Sequence, residues 1–198
     1  MIPRHTQIAL VLVLSGIFSV GFYMLHLKNR AEEHLPLRLS SDRPLTAPIA
    51  AGAPEPVTLF IAYDGDGVMR RRIVNAALPA EPSLRAREVL RTLLAEYLQK
   101  NSSHPMAEGS DIADVFLVKG SIAVVDLNSA FAAGHRSGVW VEALTLNSLV
   151  ATLAANNNAV TQVKFLVNGK ERETLAGHAD LIAVYDVAQV NQFVRSLE

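Results

Sequence analysis

Cysteine is absent from all 198 residues. Disulfides, thiolate metal sites, cysteine nucleophiles and a lipid-modified cysteine are therefore excluded. The absence does not choose a compartment; it suits an oxidising one, where stray thiols are a liability. Net charge is also lacking: 18 Lys and Arg face 19 Asp and Glu, leaving −1. The longest basic run, Arg70-Arg71-Arg72, is too short to track a phosphate backbone, so nucleic acid is not an expected partner. Neither a Walker loop nor a G-x-G-x-x-G turn is present. Among the six histidines no pair has the i, i+4 helical spacing that zinc favours. No metal or cofactor is expected.

What is present is apolar: half of the residues are hydrophobic, which suits one globular domain plus extras. A short tail, 1–7, precedes an uncharged run over 8–27, reading IALVLVLSGIFSVGFYMLHL. Roughly 20 helical residues cross a hydrocarbon core of about 30 Å, so 8–27 is read as a transmembrane anchor and the membrane as a partner. A cleaved signal peptide is the rival reading, with Ser19-Val20-Gly21 as a weak site, but the apolar run continues past it. Topology signals conflict. Lys28, Arg30, Arg38 and Arg43 follow the span and favour a cytoplasmic C-terminal part. The basic start at Arg4 favours export.

Residues 28–56 carry Pro36, Pro44, Pro48, Pro54 and Pro56 and no apolar period, which predicts a semi-extended linker. A globular domain over 57–187 follows, and 188–198 predicts a terminal amphipathic helix. Alternation predicts a strand at Val57–Tyr63, and the turn residues Asp64-Gly65-Asp66-Gly67 predict its return as a hairpin at Met69–Val74. Ser83 is the expected N-cap of a helix running to about Gln99. Asp111–Val118 and Ser121–Leu127 predict a hairpin through Lys119-Gly120. A loop over Asn128–Gly138 leads to a helix bearing Trp140, Leu144 and Leu153, stopped by Asn156-Asn157-Asn158. Val160–Val167 and Glu171–Leu175 are expected strands around Asn168-Gly169. The order β-β-α-β-β-α-β-β-α predicts an α+β fold, a small mixed or antiparallel sheet with two main helices on one face.

Few residues suggest chemistry. Asp64-x-Asp66-Gly67 opens like a calcium loop, but the twelfth position is Asn75 and no acid follows, so turn chemistry is the better account. Ser129, His135 and Glu142 contain the types for a triad, yet no strained elbow holds the serine and nothing nominates an oxyanion hole. Asp126 and Asn128, at a strand end, fit local turn caps. His178, within Ala176-Gly177-His178-Ala179-Asp180, can be read as a ligand or base, or as a hydrogen-bonded loop histidine. Trp140, the only tryptophan, is expected in the core.

Several segments carry a family resemblance. Glu142–Leu153, Val163-Lys-Phe-Leu-Val-Asn-Gly-Lys170, Glu173–Leu181 and Gly120–Phe131 with its Asp126-Leu127 pair are similar to the GerMN domain, named for the spore germination protein GerM. The resemblance spans roughly Val57 to Leu181. It implies a tethered extracytoplasmic domain, resembling the ring-building modules of envelope secretion machines. It implies envelope proteins or other copies of the chain as partners, and it carries over no catalytic residue. Two departures touch loop geometry: Leu94-Ala95-Glu96-Tyr97 continues the helix where many members have Leu-x-Gly-Pro, and Asp180-Leu181 runs into Ile182-Ala183 where many have proline.

The resulting expectation is a non-enzymatic envelope protein, single-pass, with its domain outside the cytoplasmic membrane as an interaction or oligomerisation module. The alternatives are a module binding a cell-wall fragment or small molecule through His135, Arg136, Trp140, Gly177 and His178, and a hydrolase built on Asp126, His135 or His178. The structural or ligand-loop candidates to follow are thus Asp126, Asn128, His135, Trp140, Glu142, Gly177, His178 and Asp180.

Overall fold

A computed structural model describes residues 52–197. The expected tail at 1–7, the span at 8–27 and the linker as far as residue 51 lie outside the described residues. Among those described, no helix is long and apolar enough to cross a membrane.

The elements run β1 (Pro54–Tyr63), β2 (Val68–Ala77), α1 (Pro82–Tyr97), β3 (Ile112–Val118), β4 (Ile122–Leu127), α2 (Ser129–Ala133), α3 (Val139–Asn156), β5 (Gln162–Val167), β6 (Val184–Asp186) and α4 (Val187–Arg195). The α+β class is as expected, but the strands form two sheets: a β1-β2 ribbon and a four-stranded sheet in the order β3-β4-β5-β6. Within the larger sheet β4 and β5 run parallel, because α2 and α3 carry the chain across between them. The other two pairings are antiparallel.

Both anticipated glycine turns form. Lys119-Gly120 and Asn168-Gly169 all have positive φ, the requirement of a tight two-residue hairpin turn. Other boundaries differ. The α1 N-cap is Glu81, not Ser83; its carboxylate accepts from the amides of Ser83 and Leu84, and Pro82 takes the first helical position, where no amide is needed. The loop expected over Asn128–Gly138 contains α2, capped by the Asn128 side chain. Glu171–Leu175 is not a strand. It contributes a single bridge, Thr174 to Asp180, and the last strand is instead β6.

The linker boundary also moves, for a reason visible in the hydrogen bonds. β1 starts at Pro54 and includes Pro56. The amides of Thr58, Phe60 and Ala62 do not face β2; they donate to Asn156 Oδ1 (3.0 Å), Thr152 Oγ1 (2.9 Å) and Tyr97 Oη (3.0 Å). Even-numbered positions of β1 therefore face away from the partner strand. Prolines at 54 and 56 share that parity and cost no ladder bond. Side chains of α1 and α3 thus close the outer edge of β1, and the carbonyl of Thr58 accepts from Asn156 Nδ2 (2.7 Å).

The core lies where these layers meet. Leu59, Leu93, Tyr97, Val125, Phe131, Leu146 and Phe165 are all essentially inaccessible to solvent. α3 packs on β1, on α1 and on α4, while α1 packs on β3. Asn156→Ala removes three bonds at once, two to Thr58 and one to the Thr152 carbonyl, and strands a half-buried amide. We expect a loss of about 2 kcal/mol, read as a lowered urea midpoint with an unchanged slope.

Candidate functional site

The side chains that carry charge into the interior meet around the N-terminus of α3. Glu142, fully buried, sits in that helix's first turn. Its Oε1 accepts from the Gly138 amide (3.0 Å) and faces His178 Nδ1 (2.9 Å). Its Oε2 accepts from the amides of Ala176 (3.0 Å), His178 (3.0 Å) and Ala179 (2.8 Å). Gly177 has φ +119, a left-handed conformation that glycine permits, and so turns donors on both sides of it, Ala176 before and His178 and Ala179 after, toward one carboxylate. Burial alone would raise the Glu142 pKa. The donors from Gly138, Ala179, His178 and Ala176 outweigh it and hold the group at about 2, against an ordinary 4.5.

A second polar chain runs alongside. His104 and His135 both direct Nε2 at the Thr145 hydroxyl, at 2.7 Å each. His104 Nδ1 lies 2.5 Å from Asp64 Oδ1, and the other Asp64 oxygen accepts from Arg136. His135 Nδ1 lies 2.7 Å from the Arg136 carbonyl. Carboxylate and carbonyl only accept, so each neutral imidazole must carry its proton on Nδ1. Both Nε2 lone pairs then compete with the Val141 carbonyl, 2.9 Å away, for the one Thr145 proton. Burial pushes both histidines below their ordinary pKa.

The sequence-nominated residues divide clearly. Asp126 Oδ1 accepts from the Gly169 amide (2.8 Å), tying β4 to the Asn168-Gly169 turn. Asn128 caps α2 through Phe131 N (2.8 Å), accepts from Asp111 N (3.1 Å) and donates to the Gly109 carbonyl (2.7 Å). Asp180 accepts from Ile182 N (2.6 Å) and Ala183 N (3.2 Å). Ser129, His135 and Glu142 do not converge. His135 faces Thr145, whereas Glu142 faces the 176–179 loop.

Trp140 is not a core residue. It is 45% exposed, edge-on to Phe193 at 5.8 Å. Gly67 (φ +66) admits its indole nitrogen 2.9 Å from where a Cβ would stand. Asp64 and Asp66 serve neighbouring side chains, His104 with Arg136 and Arg70 respectively. Among the described residues no group of three or more His, Asp or Glu is placed to hold a metal. The Asp64–His104–Thr145–His135 chain was not foreseen. The one sequence hint was Thr145, three residues after Glu142 among apolar helix positions.

A family model described as "Germane: Sporulation and spore germination" matches residues 58–173. The chain belongs to the Germane family. The tandem GerMN domains of the sporulation protein GerM from Bacillus subtilis superimpose with a TM-score of 0.50 at 19% identity, covering 66% of this chain and 45% of that one. The first GerMN domain of that protein gives 0.46 at 16% identity, covering 65% and 94%. A Clostridium perfringens protein described as a candidate lipoprotein gives 0.43 at 15%, covering 74% and 93%. No curated protein matches. The tandem-domain likeness shows the GerMN-like fold, and the resemblance read from the Glu142 and Thr174–Leu181 segments agrees with it.

Two predictions follow from the buried charges of this Germane domain. Glu142→Gln replaces an acceptor with an amide whose NH2 meets donors, and should cost roughly 2–3 kcal/mol by urea denaturation. Because the folded pKa is depressed, the wild-type contribution is present above the ordinary 4.5 and fades as pH falls toward about 2; the variant should lack that fade. The histidines act at higher pH. Below their ordinary 6.5 the unfolded chain binds protons that folded His104 and His135 resist, so stability should drop between pH 7 and 5.5. Replacing both with glutamine should flatten that limb.

Proposed function

We propose that this chain is a membrane-tethered envelope protein whose Germane domain is a non-enzymatic module for protein interaction or self-association. The outer face of the four-stranded sheet carries the reading. Val115-Phe116-Leu117-Val118 and Ile122-Ala123-Val124-Val125 are unbroken apolar runs, the pattern of strands covered on both faces. The chain covers one face. On the other, Phe116, Val118 and Val184 remain 49%, 40% and 52% exposed.

Register aligns Phe116, Val124, Lys164 and Val184 in one row across the sheet. The Lys164 ammonium is drawn to the Ile182 carbonyl and to Glu171 (3.3 Å), so its stem lies over the row rather than standing in solvent. Such a surface suits a protein partner better than a small polar ligand. A non-enzymatic role is supported by the way the polar groups are used: Glu142, His104 and Thr145 are buried and bonded internally.

The span at 8–27 supports tethering, and the family resemblance supports placing the domain outside the cytoplasmic membrane, against the arginines that follow the span. An alkaline phosphatase fused to the C-terminus should be active; fluorescence of a C-terminal reporter confined to the cytoplasm would overturn the topology. Phe116→Asp, on the exposed face, should leave the circular dichroism unchanged. It should abolish concentration-dependent association in sedimentation, or co-purification with envelope proteins. Retention of every association by the variant would remove this face from the function.

A further inference from the structure

We propose that the free edge of β2 is a docking site for an extended, acidic segment of a partner protein, which adds to the β1-β2 ribbon as a third strand. The inference rests on the interaction-module reading and names the partner's chemistry.

Strand parity identifies the edge. Register pairs Val57 with Val74, Leu59 with Arg72 and Ile61 with Arg70. Since even positions of β1 point away from β2, its odd positions and their even β2 partners form the ladder. The odd positions of β2 therefore direct their backbone groups outward. Met69 confirms the parity, since its amide donates outward to the Leu197 carbonyl (3.3 Å). Beyond it, the backbone groups of Arg71, Ile73 and Asn75 find no partner among the described residues, and Ile73 is 59% exposed. Side chains close the opposite edge of the ribbon, so a new strand fits only at β2.

Charge selects what pairs there. Arg70 bonds Asp66 and stacks over Tyr63, and Arg72 bonds Glu96. Arg71 makes no ion pair among the described residues. It lines a groove of about 440 Å³ with Arg195, Asn158 and Asn191, over Phe60 and Val194. Arg71 and Phe60 are direct cross-strand partners, so they share that face. A carboxylate on an added strand opposite Arg71 falls on the same face, where a charge-assisted bond to a guanidinium is strong. Overall charge is −1, so the unpaired Arg71 guanidinium is a local feature. A second copy paired edge to edge would offer it only another β2, which carries no acidic residue, so the charge would go unanswered.

The test uses the full chain in mild detergent and a fluorescein-labelled decapeptide of alternating valine and glutamate, followed by anisotropy. A matching valine–lysine peptide is the control. Ile73→Pro removes an outward amide without touching the ladder, as Pro54 and Pro56 do on β1. Arg71→Glu reverses the charge with the backbone intact. Binding of the glutamate peptide should weaken at least tenfold in either variant, and the lysine peptide should bind at least tenfold more weakly than the glutamate one. Equal binding of the two peptides, no binding at millimolar concentration, or full binding by Arg71→Glu would overturn the proposal. So would a wild-type dimer that Ile73→Pro dissociates, which assigns the edge to a second copy. If the peptide fails while Phe116→Asp still disrupts association, the docking site falls and the interaction module stands.

Discussion

The Glu142 carboxylate organises more of this domain than any other single group. It is fully buried, and it converts a cost into order by collecting donors from two separate segments. One donor belongs to the turn that starts α3; the others belong to the loop that returns from β5 toward β6. A buried carboxylate without such donors would protonate or force the chain open. With them it stays charged, complements the positive end of the helix and fixes a stretch that has almost no ladder bonds of its own. The path from Glu173 to Asp180 is thus set by a side chain 31 to 38 residues earlier in sequence. That is why the loop has a defined shape although it holds only one isolated bridge.

Side chains also do the work of a missing strand at the β1-β2 ribbon. A two-stranded ribbon is marginal alone. Here α1 and α3 pack on it and also answer its outward amides through Tyr97, Thr152 and Asn156. The polar chain from Asp64 through His104 to Thr145 pins the ribbon's turn to α3 by a further route. The ribbon is therefore anchored along β1 and left free along β2. One edge is consumed by the fold and the other remains available.

Much of the fold was legible because its signals are local. Lys119-Gly120 and Asn168-Gly169 demanded tight turns, and the periodic faces of α1 and α3 gave both main helices. What failed depended on partners distant in sequence. Pro54 and Pro56 signalled a linker, because nothing local reveals that their parity faces away from β2. Glu171–Leu175 was expected to return as a strand after the Asn168-Gly169 turn, yet its neighbourhood is ruled by Glu142. Trp140 was assigned to the core by its type, whereas Gly67 and Phe193 hold it half-exposed at the surface. The cap role of Asn128 was readable, since it acts within its own turn on Phe131; Asp126 was expected to do the same but accepts from Gly169, 43 residues away, and His104 was not read because its partners lie 40 and 41 residues away.

The residues that looked most chemical are those the fold spends on itself. A general base needs a pKa near the working pH and a lone pair that substrate can reach. Glu142 satisfies neither, being held at about 2 and sealed from solvent. His104 is likewise enclosed, with both ring nitrogens engaged. His178 keeps an exposed ring face, but Glu142 holds its Nδ1 and only Ser137 joins it there, at 3.4 Å. A small set of polar groups is therefore buried within an otherwise apolar core, and each is held there by partners inside the fold, so that the chemistry they could offer is used to fix loops and strand edges.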